Sequence, residues 1–236
     1  MVRSRPAGRW RAVAGTGALV VVLTAWNNVV VTRLPGPYVA VNGTAAAVLL
    51  ATARAAGLRW SELGLARRCL PAGLRAGGAC VALVAGAYAV GLAVPALRPL
   101  LGDARVADLD GGEIASRTLV RIPFGTVLWE EVAFRGVLLA ALLRLLPVPA
   151  AVGVAAAVFG SWHIRPTLGA LEANDLVHGP AATTAVVVLA CLATAAAGVL
   201  FAWLRLRSGS LLAPVLLHLA TNSVGLLAAA AAVRLA

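Results

Sequence analysis

The chain of 236 residues contains no lysine and little charge of either sign. Only 12% of its residues are charged, whereas soluble domains carry about 25%, and 61% are hydrophobic. Its twenty basic residues are all arginines, spread over the segments between apolar runs without clustering on one face. Because the arginines do not cluster, the formal charge of +11 does not indicate a nucleic-acid partner. The composition predicts an integral membrane protein in contact with membrane lipid.

Cysteine is also scarce. Cys69, Cys80 and Cys191 form an odd, scattered set without the spacing of metal ligands, which excludes a disulfide framework. The sequence contains no internal repeat and no low-complexity linker. We therefore expect one integral membrane domain over residues 1–236, and the sequence predicts no oligomeric state.

Apolar runs of membrane-spanning length fill most of the chain. With about 20 apolar residues per span, the sequence predicts an all-α, polytopic bundle of about seven transmembrane helices. These lie near residues 12–32, 38–57, 77–97, 118–146, 149–165, 181–204 and 211–233.

The charges between these runs predict the orientation. Arginines precede the first helix at positions 3, 5, 9 and 11 and follow the second at positions 59, 67, 68 and 75. The loop after the third helix is acidic, and the loop after the fifth holds Glu172 and Asp175. Because arginine-rich loops stay in the cytoplasm, we expect a cytoplasmic amino terminus.

The stretch WEEVAFR places three charged side chains in the fourth predicted helix. A charge in mid-membrane costs at least about 2.5 kcal/mol, so such residues are usually paired or functional. Glu131 and Arg135 are spaced i,i+4 in the favourable order, which predicts a supporting ion pair. Glu130 points about 100° away and has no partner in its own helix, so it is the candidate catalytic residue.

Other polar residues at depth lie in two further helices. Phe159 and His163, in FGSWH, are spaced i,i+4, as are His218 and Asn222 in HLATN. Each pair alone is typical of helix packing or of an interfacial histidine. Together with Glu130 they predict a polar site shared by three helices.

Two chemistries suit this set. In a metal-free hydrolase, Glu130 takes a proton from water, His163 positions that water, and His218 with Asn222 donates hydrogen bonds to the oxyanion. In a zinc hydrolase, Glu130, His163 and His218 are the three ligands. The metal-free scheme is favoured, because in the zinc scheme Glu130 is a ligand and Glu131 is paired, which leaves no general base. No HExxH helix is present either.

The residues resemble a known family. EEVAFR matches an EExxxR motif, FGSWH an FxxxH motif and HLATN an HxxxN motif of the CPBP intramembrane proteases, in family order. That family includes the type II CAAX prenyl endopeptidases and bacteriocin-processing or immunity proteins. ELGL, residues 62–65, also resembles a stretch found upstream in bacterial members.

This resemblance implies a helical membrane fold around a water-accessible cavity, with the catalytic core at about residues 118–233. It also implies cleavage of a peptide or lipidated protein in a bacterial cytoplasmic membrane. Glu130, His163, His218 and Asn222 would be catalytic, and Glu131, Arg135 and Phe159 would support them. A non-proteolytic scaffold or immunity protein and a small proton-coupled transporter are the alternatives.

Overall fold

The computed structural model describes residues 6–31, 33 and 37–235, with only the backbone described for residues 6–9. Arg3 and Arg5 of the predicted amino-terminal arginine group lie outside the described residues. Over the described ranges the chain forms eight helices and three short 3₁₀ turns and has no strand. The predicted all-α fold is confirmed. The helices are α1 (6–30), α2 (Tyr38–Ala55), α3 (Leu70–Ala93), α4 (111–143), α5 (Val148–Trp162), α6 (Ile164–Asn174), α7 (Pro180–Ser208) and α8 (212–235).

Seven of these helices correspond in order to the predicted spans. By length and composition, α1, α2, α3, α7 and α8 can each cross a membrane. Helix α4 is longer but carries six charged residues. Helix α5 has 15 residues and extends about 22 Å, less than the roughly 30 Å hydrocarbon core. The end of α5 is therefore expected at membrane depth.

The structure corrects three predicted boundaries. Helix α6 occupies a segment predicted as a loop, so Glu172 is helical. The fifth predicted helix ended at residue 165, whereas Pro166 lies in the first turn of α6, where its missing N–H breaks no intrahelical bond. Helix α4 begins at residue 111 because Asp110 and Glu113 form a capping box. Helix α3 begins at residue 70, with a proline in its first turn.

The ELGL stretch ties one end of the bundle together. The Glu62 carboxylate accepts hydrogen bonds from Arg144, at the end of α4, at 2.8 and 2.9 Å. Its backbone carbonyl accepts from Arg205 of α7 at 2.7 Å. The carbonyl of Gly64 accepts from the Leu211 N–H, just before α8, at 2.8 Å. We call this the arginine-rich end, comprising residues 54–75, 144 and 205–211.

The opposite end carries the acidic loops. Asp103, in the segment after α3, accepts hydrogen bonds from Arg105 and from Asn174 at the end of α6. Arg98 donates to the carbonyl of Leu235, the last described residue. The loops thus separate into the two groups that the charge pattern predicts.

Helix α4 is the central helix of the bundle. Every residue from 129 to 140 is buried, including three charged ones. Helices α5 and α7 pack closely beside it: a Cβ added at Gly160 would lie 2.6 Å from the carbonyl oxygen of Cys191. Small residues at this contact permit the close approach of the two backbones.

Two cavities border this bundle. An apolar groove of about 640 Å³ lies between α1 and α2 and reaches Trp129, the neighbour of Glu130. A second cavity, of about 440 Å³, is lined by charged residues at the start of α4. Neither is lined by Glu130, His163 or His218. A water-accessible cavity around these residues stays a prediction.

Candidate active site

Glu130 and Glu131 of α4 lie between two π-helical segments. Leu128–Glu131 is α-helical, whereas Arg117–Val127 before it and Val132–Leu138 after it are π-helical. In α8, the π-helical segment Ala220–Val224 directly follows Leu219. Such segments are rare and concentrate at functional sites. Two of the three helices that carry the motifs, α4 and α8, are therefore irregular at the motif or directly beside it.

Glu131 accepts hydrogen bonds from two helices. Its side chain is fully buried, and Arg135 Nη1 donates to Oε1 at 3.0 Å. The same oxygen lies 2.8 Å from His218 Nδ1. The predicted i,i+4 ion pair is present, and it includes a histidine from α8. Because an ionised carboxylate only accepts, Nδ1 carries the proton in this contact, which fixes the orientation of the imidazole.

Arg135 is enclosed by aromatic rings. Its guanidinium carbon lies 3.9 Å from the Phe159 ring centroid and 4.7 Å from that of Phe201. With 3% of its surface exposed, the cation is almost fully desolvated, where cation–π attraction is strongest. The phenylalanine of the FxxxH motif therefore packs against the arginine of the EExxxR motif.

Glu130 faces a different side of α4, as its position in the sequence predicts. Trp162 Nε1 donates to Glu130 Oε1 at 3.0 Å. The other oxygen, Oε2, is buried and has no hydrogen-bond partner among the described residues. It lies 3.8 Å from His218 Nε2. One carboxylate oxygen is thus held, and the other faces an imidazole nitrogen beyond hydrogen-bonding distance.

His163 and Asn222 lie near this cluster without polar contact to it. His163 Nδ1 pairs with the Phe159 carbonyl at 2.8 Å, and the two rings lie 4.6 Å apart. Asn222 is half-buried, and its Oδ1 accepts from Thr221 at 3.4 Å. Among the described residues, neither side chain makes a hydrogen bond to Glu130. Their catalytic roles stay predictions.

A comparison with protein-family models decides the classification. Residues 115–224 match the family described as type II CAAX prenyl endopeptidase Rce1-like, and this segment contains all seven predicted site residues. The matched segment, a little under half of the chain, is similar to this family. The chain is an integral membrane protein and an endopeptidase of the CAAX protease class. No curated protein and no solved structure matches the chain.

A zinc site in this Rce1-like protein would require three side chains that converge on one point. The predicted ligands are Glu130, His163 and His218. Glu130 Oε2 and His218 Nε2 lie 3.8 Å apart. Within the described residues, no group of three His, Cys, Asp or Glu side chains is placed to hold a metal ion. The donor set as arranged does not fit a three-ligand zinc site.

Several residues that hold this Rce1-like site were not predicted from the sequence. Trp162 contacts Glu130 directly. The buried Asn42 of α2 donates to the Gly125 carbonyl of α4 at 2.9 Å and accepts from Trp26 at 3.0 Å. Polar residues inside an apolar span were the available signal, as in the WNN stretch of α1 and at Asn42.

Proposed function

We propose that this Rce1-like endopeptidase hydrolyses a peptide bond with a water molecule that Glu130 activates, without a metal. One observation supports this most directly: Glu130 Oε1 is held by Trp162, whereas Oε2 is buried, has no partner among the described residues and faces His218. A carboxylate in this arrangement has one oxygen available to accept a proton from water.

The reaction then proceeds in two stages. Glu130 Oε2 takes a proton from water as the water oxygen bonds to the scissile carbonyl carbon, which gives a tetrahedral oxyanion. The oxyanion collapses, the C–N bond breaks, and Glu130 returns its proton to the leaving amine. The products are a carboxylic acid and an amine, and Glu130 is regenerated.

His218 and Asn222 are the proposed donors to the oxyanion. With both carboxylates ionised, Glu130 and Glu131 carry two negative charges and Arg135 one positive charge. Because Nδ1 donates to Glu131, Nε2 is a donor beside Glu130 only when both ring nitrogens carry a proton, and in that form the buried cluster is neutral. A fixed donor in a site shielded from water stabilises developing negative charge strongly.

His163 is the proposed water-positioning residue. It ends α5, directly after the tryptophan that contacts Glu130. Its Nδ1 contact with a carbonyl requires the proton on that nitrogen, so in the neutral ring Nε2 can accept a hydrogen bond from water.

The proposed substrate is a membrane-associated or lipidated peptide or protein. The buried site lies among apolar helices, so the scissile segment reaches it from the bilayer or its surface. We also propose that the arginine-rich end faces the cytoplasm of a bacterium, because basic loops are retained there. This places the amino terminus on the cytoplasmic side.

A quenched-fluorescent, lipid-anchored peptide library tests the proposal with protein reconstituted in liposomes. Glu130→Gln keeps a carbonyl oxygen for Trp162 but cannot take the proton, so kcat should fall about 10²- to 10⁴-fold. Glu172→Gln, at an exposed glutamate of α6, is the control and should cleave normally. Full activity in Glu130→Gln would overturn the role of Glu130.

The proposal that hydrolysis proceeds without a metal is tested by a separate measurement. Cleavage should survive prolonged treatment with a strong chelator, and elemental analysis should find less than stoichiometric zinc. Activity that is lost on chelation and restored by zinc alone would overturn the metal-free mechanism but not the endopeptidase activity.

A further inference from the structure

Trp162 contacts the proposed catalytic carboxylate from a separate helix. Its side chain is 1% exposed, and Nε1 donates to Glu130 Oε1 at 3.0 Å. This is the hydrogen bond that leaves only Oε2 of Glu130 without a partner among the described residues. A hydrogen bond to a charged acceptor is about twice as strong as a neutral one. Trp162 therefore determines which carboxylate oxygen is available.

The backbone that carries Trp162 is fixed by α1. The last carbonyls of a helix have no intrahelical partner, and here two asparagines supply donors. Asn27 Nδ2 donates to the Trp162 carbonyl at 3.2 Å, and Asn28 Nδ2 donates to the Ser161 carbonyl at 2.9 Å. Asn28 Oδ1 also accepts the Arg165 N–H at 3.0 Å. Asparagines of α1 thus bind both the last carbonyls of α5 and an N–H in the first turn of α6.

The indole ring is fixed by aromatic packing. Its centroid lies 5.3 Å from that of Phe134, with the rings nearly perpendicular, and 6.2 Å from that of Trp129. Both neighbours are on α4, on either side of the carboxylates. Contacts of this edge-to-face kind favour one ring orientation. The Nε1–H vector is therefore set before substrate binds.

We infer that Trp162 is a positioning residue for Glu130: its indole N–H holds Oε1 so that Oε2 faces the reacting water and His218. This inference rests on the proposed function of Glu130. The terminal torsion of a glutamate side chain is broad and roughly two-fold, so the carboxylate rotates freely without such a donor. Loss of the N–H distributes Glu130 over unproductive orientations and lowers kcat without changing substrate affinity.

The experiment compares two tryptophan-to-phenylalanine variants in the full-length protein. Trp162→Phe removes the donor, whereas Trp129→Phe removes the same volume from the same aromatic cluster. Trp129 Nε1 makes no hydrogen bond within the described residues, so it is a matched control. Trp162→Phe should lower kcat about 10- to 100-fold, with KM changed less than 3-fold. Trp129→Phe keeps an aromatic ring beside Trp162 and should keep kcat within about 3-fold of wild type.

A third variant separates the N–H from the ring. Benzothienylalanine at position 162 keeps the two-ring shape and replaces the N–H by sulfur, so packing is preserved even if phenylalanine impairs folding. It should show the same loss of kcat as Trp162→Phe. Equal kcat in wild type and in this isostere would overturn the inference.

Glu130→Gln distinguishes failure of the inference from failure of the proposed function. If Glu130→Gln is inactive and the isostere at 162 is fully active, Glu130 is catalytic but Trp162 does not position it. If Glu130→Gln is active, the proposed function itself fails, and the inference fails with it.

Discussion

Glu131 of α4 and His218 of α8 are joined by a 2.8 Å hydrogen bond, although 87 positions separate them in the chain. The same Glu131 oxygen accepts from Arg135. One buried oxygen therefore joins the ion pair to the imidazole that faces Glu130. Loss of the Glu131–Arg135 ion pair should therefore change the orientation of His218, which faces the proposed catalytic residue Glu130.

A double-mutant cycle tests this coupling. Glu131→Leu or Arg135→Met alone leaves one buried charge without its partner, which costs about 3 to 5 kcal/mol. The double variant removes both charges and should be destabilised by clearly less than the sum of the two single variants. Chemical unfolding in detergent measures the three differences.

In the double variant, cleavage should not recover even though part of the stability does. The double variant still lacks the acceptor that orients His218 Nδ1, so its kcat should stay at least about 10-fold below wild type. Strictly additive destabilisation would contradict the coupling, and a double variant with wild-type kcat would contradict the orienting role of Glu131.

The close contact between α5 and α7 gives a second prediction. Gly160→Ala places a methyl group 2.6 Å from the Cys191 carbonyl oxygen and 3.0 Å from the Ala195 Cβ, so α5 must shift. We expect a loss of about 1 to 3 kcal/mol in the free energy of unfolding. Cleavage should also fall, because α5 carries Trp162.

Gly153 on the same helix is the matched control. A Cβ there meets nothing within 4 Å, so Gly153→Ala should be neutral or should stabilise by up to about 1 kcal/mol through its helix propensity. Thermal unfolding of both variants measures the contrast. Equal effects at the two positions would contradict close packing at Gly160.

The arginine-rich end predicts a pH dependence. The hydrogen bond from Arg144 is the main cause that holds the pKa of Glu62 at about 2, below its ordinary value of 4.5. A lowered carboxyl pKa adds stability above the ordinary value, and this stability is lost as pH falls towards the folded-state value. The pair is partly exposed, so we expect at most about 1 kcal/mol at neutral pH.

Wild type and Glu62→Gln should therefore differ in unfolding temperature by a constant amount above pH 4.5. The difference should shrink as pH falls from 4.5 towards 2. Arg144→Gln should reproduce the Glu62→Gln result. A difference that is unchanged at pH 2.5 would contradict the assigned cause.

The sequence predicted the parts of the site that depend on helix periodicity. The i,i+4 spacing placed Glu131 beside Arg135, and the 100° step separated Glu130 from them. The all-α fold followed from the length of the apolar runs. Each of these inferences needs only the regular geometry of one helix.

Contacts between helices could not be predicted from the geometry of a single helix. Trp162 contacts Glu130 only because α5 ends beside α4. Asn27 reaches the Trp162 carbonyl only because α1 packs on both of these helices. Helix α6 was missed because Pro166 signals either an end or a beginning, and the choice depends on how the chain turns at His163. The π-helical segments have no comparable signature in the sequence.

The asparagines of α1 lie far outside the matched segment 115–224, yet they hold its central junction in place. The three motifs of this endopeptidase therefore depend on contacts from outside the matched segment. A chimera that grafts residues 111–235 onto the first two helices of a relative without WNN would lack the donors for the Ser161 and Trp162 carbonyls. The geometry of the site therefore depends on both halves of the chain.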